Sequence, residues 1–311
     1  MSAVTPQAIK ELRERTQAGM SDCKNALVEA AGDMEKAVEI ILKKGLAKSA
    51  KRASAVATEG EIRAQVHEGG LAATMVEVNI QTDFAARSEG FQTFVTDVMA
   101  VAVKAEAGSD LGKAPLAGKT VVEVAAELTG KIGEKIDVRR WERVAVSAGK
   151  KGLCTSYVHL GGKIGVLVLI ETESEAAAKH AETIKFADDT AMQIASMSPA
   201  VLKRDEVSAD LITKQREIFE AQMRDDPKPK PEAAWPKIIE GKLVKWYSEI
   251  VLLEQESVVV PGKTIEQLRE DASKAAGAPL QLVKYVRFER GEGLTKKEDN
   301  FAEEVAKMAG G

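Results

Sequence analysis

Residue types able to do bond chemistry are sparse in this chain. It carries two cysteines and three histidines among 311 residues. Cys23 and Cys154 stand far apart with no Cys-x-x-Cys spacing. The expectation is buried, reduced thiols, not a metal site or a disulfide framework. The sequence has no phosphate-binding loop, no GxGxxG after a strand, no HExxH and no GxSxG. No cluster of Cys, His and acids has metal-ligand spacing, and no cofactor is expected. An enzyme would have to bring His159, Asp83 and Cys154 together through the fold, and their spacing gives no reason for it. The chemistry that does stand out is Thr82-Asp83-Phe84, a hydroxyl, a carboxylate and an aromatic ring in succession. It can cap a helix, or it can offer charge and ring to a partner.

Two elements must position the tripeptide. Before it, Val76, Val78 and Ile80 alternate with Glu77 and Asn79, the period of a half-buried strand over 74–80. After it, Phe91, Phe94, Val95, Val98, Val101 and Ala102 recur at helical spacing. The tripeptide therefore sits at a strand-to-helix junction. In one reading Thr82 or Asp83 caps the helix and Phe84, on the even face with Val76 and Val78, belongs to the core. In the other, the ring faces water or a partner.

The length suits two or three domains. The chain is 44% hydrophobic and 30% charged, with a net charge of −4, a balance that disfavours direct nucleic-acid binding. No apolar run reaches the ~18–20 residues of a membrane span, and the N-terminus lacks an apolar signal core, so a cytoplasmic protein is expected. Three short helices are predicted over 5–43, opened by Thr5-Pro6 and, for the third, by Asp33. Lys43-Lys44-Gly45 is expected to end the third helix. A linker, 46–59, follows. Lys43, Lys44, Lys48, Lys51 and Arg52 make a basic cluster there, read as a solvated tail or as a contact for an acidic surface.

An internal repeat organises the middle. Val66-His67-Glu68-Gly69-Gly70 returns as Val158-His159-Leu160-Gly161-Gly162 at an offset of 92 (159 − 67). Two related subdomains are predicted, each a hairpin followed by a long helix, 175–198 in the second. His67 and His159 read as residues flanking Gly-Gly turns. Asp83 falls on Glu175 and Phe84 on Ala176. A core role shared by both copies favours a large apolar residue at each, so Ala176 weakens the core reading of Phe84.

Two helices, 208–223 and 233–253, flank the proline-rich stretch from Asp225 to Pro231. They predict a hairpin in which Leu211, Ile218, Phe219 and Met223 face Ile238, Ile239, Leu243 and Trp246. It reads as a structural or dimerisation arm, or as one that binds a partner. A helix over 264–275, a strand over 281–289 that returns to the second subdomain's sheet, and a helix over 298–308 close the chain.

Three blocks carry a family resemblance. They are Leu12-Arg13-Glu14-Arg15-Thr16-Gln17-Ala18-Gly19-Met20-Ser21-Asp22-Cys23-Lys24-Asn25-Ala26-Leu27, Glu77-Val78-Asn79-Ile80-Gln81-Thr82-Asp83-Phe84-Ala85, and Val286-Arg287-Phe288-Glu289-Arg290-Gly291-Glu292-Gly293. In this order they resemble the bacterial elongation factor Ts family, the guanine-nucleotide exchange factors for the GTPase elongation factor Tu. The resemblance implies an α+β protein with an N-terminal three-helix, ubiquitin-associated-like bundle and linker (1–55) and a core N-subdomain (56–147). It further implies a core C-subdomain (148–204 and 254–292), a protruding antiparallel helical-hairpin arm (205–253) and a C-terminal helical module (293–311). It implies that Thr82, Asp83, Phe84 and Ala85 dislodge Mg²⁺ from the partner, although many relatives carry Val where Ala85 stands. Leu12, Arg13, Met20 and His159 are the implied partner contacts, and arm or core could also support a homodimer. The factor itself would be no enzyme and need no cofactor or membrane. A generic adaptor and an RNA binder acting through the basic cluster remain the other classes, the second disfavoured by the acidic balance.

Overall fold

The computed structural model describes residues 4–16, 18–52, 54–226 and 231–294; along 46–51 it describes the backbone alone. The helix expected over 298–308 and the central part of the proline-rich stretch lie outside the described residues. In order the elements are α1 (Pro6–Thr16), α2 (Met20–Glu29), α3 (Met34–Arg52), β1 (Glu59–His67), β2 (Ala72–Ile80), α4 (Asp83–Ala86) and α5 (Glu89–Lys104). Then come β3 (Pro115–Leu116), β4 (Lys119–Thr120), α6 (Val121–Ile132), β5 (Ile136–Ala145), β6 (Lys151–His159), β7 (Ile164–Thr172), α7 (Glu175–Ala178) and α8 (Ala181–Met197). The chain continues as α9 (Ala209–Arg224), α10 (Trp235–Ile250), α11 (Ile265–Ala276) and β8 (Gln281–Glu289). The protein is α+β. Strands β1-β2-β5 and β6-β7-β8 form two three-stranded sheets in those orders. No helix among the described residues is long and apolar enough to cross a membrane.

The chain gathers into two compact units. One holds the described residues up to Arg63, Val76–Trp141 and the described residues from Glu289; the other holds Ala64–Met75 and Glu142–Phe288.

In the first unit, α1 to α3 close around Leu12, Cys23, Ala26, Leu27 and Ala37. Thr5 accepts a hydrogen bond from Ala8 N at 3.2 Å and Asp33 from Lys36 N at 3.1 Å, so both predicted helix starts hold. The predicted stop at Gly45 does not. Helix α3 continues to Arg52, and Gly45 is not left-handed. Its bare Cα instead admits α6: a Cβ built on Gly130 would lie 2.5 Å from Gly45 Cα. Close helix packing, not capping, selects this glycine. A second core sets Val76, Val78 and Ile80 of β2 against Phe91, Val95 and Val98 of α5.

The half-buried strand is corrected, because all nine residues of β2 are buried. Glu77 lies fully buried on the expected polar face. Its carboxylate accepts from Arg139 at 3.0 Å, Arg140 at 2.5 Å and Gly291 N at 2.8 Å. Burial alone would raise its pKa. The amide of Gly291 and the two guanidiniums outweigh burial and hold the carboxyl below its ordinary value.

In the second unit β6 and β7 pair antiparallel, with Lys151 opposite Thr172 and His159 opposite Ile164. Val166, Val168 and Ile170 pack on Phe186, Ile194 and Leu252. The repeat holds at the level of elements: β6, β7 and α7 begin 92 positions after β1, β2 and α4. The single long helix predicted over 175–198 is split into α7 and α8, with His180 capping the second. Likewise, α4 and α5 are separate, with Ser88 as cap. Met223, Ile239 and Leu243 are the buried centre between α9 and α10. Leu211 and Ile218, expected at that contact, are exposed, and Ile212 packs there instead. A shift of one residue, about 100° around the helix, separates the two faces, and the sequence spacing fits either.

Both cysteines are free and buried, as expected. Burial pushes the Cys154 thiol up to about 12. His67 flanks its turn with Nε2 at 2.9 Å from Thr74 Oγ1.

Candidate functional site

Strand β2 ends at Ile80, and the chain turns at once into a four-residue helix. Thr82 is its N-cap, in extended geometry, and Thr82 Oγ1 accepts from Ala85 N at 3.2 Å. Asp83 takes the first helical position, where the positive end of the peptide dipoles favours a carboxylate. Asp83 accepts from Arg87 at 3.1 Å, but both side chains are well exposed, so the pair adds little stability.

The helical turn resets which way each side chain faces. In a continuing strand Phe84 would share the inward side of Ile80. About 100° of rotation per residue instead places Ala85 and Ala86 inward, both in the core cluster with Phe91 and Val95. Phe84 points out and is 86% exposed. The core reading of Phe84 fails. Ala85, grouped with the partner-facing residues, lies beneath the turn and offers little surface.

Side chains distant in sequence hold the turn. Glu134, just past α6, accepts from Thr82 N at 2.9 Å and Thr82 Oγ1 at 2.8 Å, one bond to each carboxylate oxygen. Gln81 Oε1 accepts from Lys135 N at 2.8 Å. At the other end Gln92 Nε2 donates to Ala86 O at 2.9 Å. Sequence reasoning missed all three supports: the Glu134 and Gln81 contacts join residues more than fifty positions apart and leave no periodic signal, and the Gln92 contact, six residues long, follows no capping pattern. The turn has no bond-making machinery. Among the described residues no group of three or more His, Cys, Asp or Glu could hold a metal ion. The turn offers a rigidly mounted ring beside an exposed carboxylate.

Comparison with known proteins gives the family of the chain. A model of the family described as "Elongation factor TS" matches residues 81–292. Across 311 aligned residues, 99% of both chains, the sequence is 45% identical to elongation factor Ts of Clostridioides difficile strain 630. The chain belongs to the elongation factor Ts family. It is 44% identical to the elongation factor Ts of a Clostridium perfringens strain, over 99% of each chain, and 43% identical to that of a Nitratiruptor species, over 98% of each. Elongation factor Ts acts in nucleotide exchange during translation elongation and is not a catalytic enzyme.

The other residues that the elongation factor Ts resemblance singled out have unequal surroundings. Leu12 is fully buried in the bundle core, so it shapes the bundle and presents nothing to a partner. Arg13 beside it is exposed, and Met20, at the start of α2, is 62% exposed. Helix geometry explains the difference, since Leu12 faces Cys23 and Leu27 while Arg13 is turned about 100° away. His159 belongs to the second unit. It is exposed and stacks on Tyr157 at 5.7 Å between ring centroids, with the Tyr157 hydroxyl 2.8 Å from Nδ1.

Proposed function

We propose that this chain binds the GDP form of elongation factor Tu, displaces Mg²⁺, promotes GDP release and stays bound until GTP returns. The observation that carries the reading is Phe84, a large apolar ring left almost wholly in water on a capped, braced turn. A phenylalanine held out of the core stabilises nothing within the chain, but it can be buried in another. Asp83 beside it can compete for the hydrogen bonds and charge that order a nucleotide-bound Mg²⁺, since the ion and phosphates hold one another in place.

The factor performs no bond chemistry in this scheme. It binds the nucleotide-free partner more tightly than the loaded one, and nucleotide must loosen the factor by the same free energy. Moving the partner from 1:99 to 99:1 takes roughly 5.5 kcal/mol of differential affinity. Phe84 alone falls short of that, so the bundle, through Arg13 and Met20, and the second unit, through His159, supply further contacts. The five-part organisation read from the sequence, with a ubiquitin-associated-like bundle and an antiparallel arm, belongs to the same proposal, as does a cytoplasmic location.

The test is release of a fluorescent GDP analogue from elongation factor Tu with and without this chain. Acceleration that grows with factor concentration and saturates supports the reading. Release at the unassisted rate at every concentration refutes it.

A further inference from the structure

The internal repeat contains its own control for the Phe84 turn. Helices α4 and α7 are both four residues long, and both are capped by a hydroxyl. Thr82 accepts from Ala85 N at 3.2 Å, and Ser174 accepts from Ala177 N at 3.2 Å. Two buried alanines lie beneath each turn, Ala85 and Ala86 in one and Ala177 and Ala178 in the other.

The supports differ. The repeat resumes after the arm at an offset of 144 (264 − 120), which places the capping box of Thr264 and Gln267 on that of Thr120 and Glu123. The left-handed caps Gly133 and Gly277 coincide under the same offset. So do two side-chain hydrogen bonds, Ile136 N to Thr129 Oγ1 and Leu280 N to Ser273 Oγ. In this register Glu134 falls on Ala278, and at the offset of 92 Gln92 falls on Ile184. The second turn folds and caps without a carboxylate clamp: Thr183 Oγ1 donates to Ala177 O at 2.7 Å where Gln92 braces the first turn, and Ser174 N meets Thr172 Oγ1 at 3.5 Å where Thr82 has Glu134. The carboxylate clamp is therefore not what a turn of this kind needs in order to form. It is present in the copy whose outward residue is phenylalanine and absent from the copy whose outward residue is Ala176.

We infer that Glu134 is a positioning residue for exchange: its carboxylate fixes the Thr82 cap so that Phe84 meets the partner already aimed. The inference rests on the exchange reading above and deepens it. Glu134 has a second link within the same unit. It follows by four positions Gly130, where α3 crosses α6 at Gly45. The segment that packs against the helical bundle thus ends in the residue that holds the turn, so the bundle and Phe84 are joined through one short stretch of chain. Fixing the ring beforehand removes an ordering cost that would otherwise fall on the release step, after the first complex has formed.

The experiment compares Glu134→Ala and Glu134→Gln with the wild-type chain in three measurements. Amide hydrogen exchange on the chain alone should rise about five- to tenfold at Ala85 and Ala86 in Glu134→Ala, the scale expected for the net loss of about one ordinary hydrogen bond at an exposed site. Ala177 and Ala178 serve as the internal reference and should not change. Release of GDP from elongation factor Tu should show a lower rate at saturating factor, again about five- to tenfold, with the half-saturating concentration within about twofold of wild type. Glu134→Gln keeps one acceptor oxygen and should recover part of both effects. The melting temperature should stay within a few degrees.

Unchanged exchange at Ala85 and Ala86 overturns the clamp. Raised amide exchange with an unchanged saturating release rate overturns the positioning role, and a large fall in melting temperature assigns Glu134 to stability instead. Should the wild-type chain itself fail to accelerate release, it is the exchange reading that fails, whatever the amide data show.

Discussion

Replacing Phe84 with alanine separates a partner-binding ring from a structural one. The side chain is 86% exposed, so its removal takes almost no apolar area out of the folded core. The expected change in the chain's own stability is within about 0.5 kcal/mol. In the complex the ring would pass from water into protein, and burying a phenylalanine side chain is worth about 1.5–3 kcal/mol. That is roughly a quarter to a half of the 5.5 kcal/mol needed to invert the partner's occupancy. Losing it should lower the acceleration of GDP release at subsaturating factor by roughly 10- to 140-fold. The assay is stopped-flow release of a fluorescent GDP analogue from elongation factor Tu, run beside thermal unfolding of the variant. Phe91→Ala is the matched control. That ring, seven positions on, is fully buried in the first core, and its loss should cost about 3–5 kcal/mol of stability. Release by Phe84→Ala within twofold of wild type across the concentration range would refute the reasoning. So would a melting loss comparable to that of Phe91→Ala, since an exposed ring has no such stability to lose.

Other perturbations probe the supports. Leu12→Ala should destabilise the small bundle by about 2–5 kcal/mol in thermal unfolding, because Leu12 is fully buried, whereas Met20→Ala should leave melting unchanged and weaken complex formation in a binding titration. Gly130→Ala would place a Cβ 2.5 Å from Gly45 Cα; α3 and α6 must separate, at about 1–3 kcal/mol, and limited proteolysis should cut at that junction sooner. Glu77→Ala leaves Arg139 and Arg140 without their buried carboxylate and should cost about 3–5 kcal/mol in chemical denaturation. The pH dependence follows from the same site. A carboxyl held below its ordinary value of 4.5 contributes stability that is present above that value and lost as pH falls through the folded value. Glu77→Gln should therefore flatten the acid limb of a stability–pH profile below about pH 4.5; an unaltered limb would remove Glu77 from acid unfolding.

Much of the architecture was legible because it is periodic or repeated. The alternation of Val76, Val78 and Ile80 locates β2, the 3.6-residue spacing from Phe91 locates α5, and the doubled Val-His-x-Gly-Gly phrase locates the second hairpin. Local capping chemistry was legible in part: Thr5 and Asp33 cap as their positions suggest, whereas of the two candidates Thr82 and Asp83 it is Thr82 that caps, and it caps the short α4 while Ser88 caps α5. These signals lie within a few residues of what they determine. The three blocks that resemble elongation factor Ts were equally local, and whole-length similarity bears out the family they indicate.

What tertiary structure alone decided depends on groups that meet across long stretches of chain. Strand parity put Phe84 inward; the short helix begun by Thr82 turned it to solvent, and Ala85 took the inward place. Leu12 and Arg13 are neighbours in one signature, yet packing buried the first and exposed the second. Gly45 looked like a helix stop until Gly130 arrived against it. Glu77 and Asn79 looked solvent-facing until the guanidiniums of Arg139 and Arg140 and the amide of Gly291 closed over the carboxylate of Glu77. Glu134, which holds the turn, lies 52 residues from Thr82. A sequence determines on its own those features whose causes are short-range: period, cap and repeat. Which side of an element meets water, and which distant carboxylate holds it there, depends on surfaces that exist only once the chain has folded.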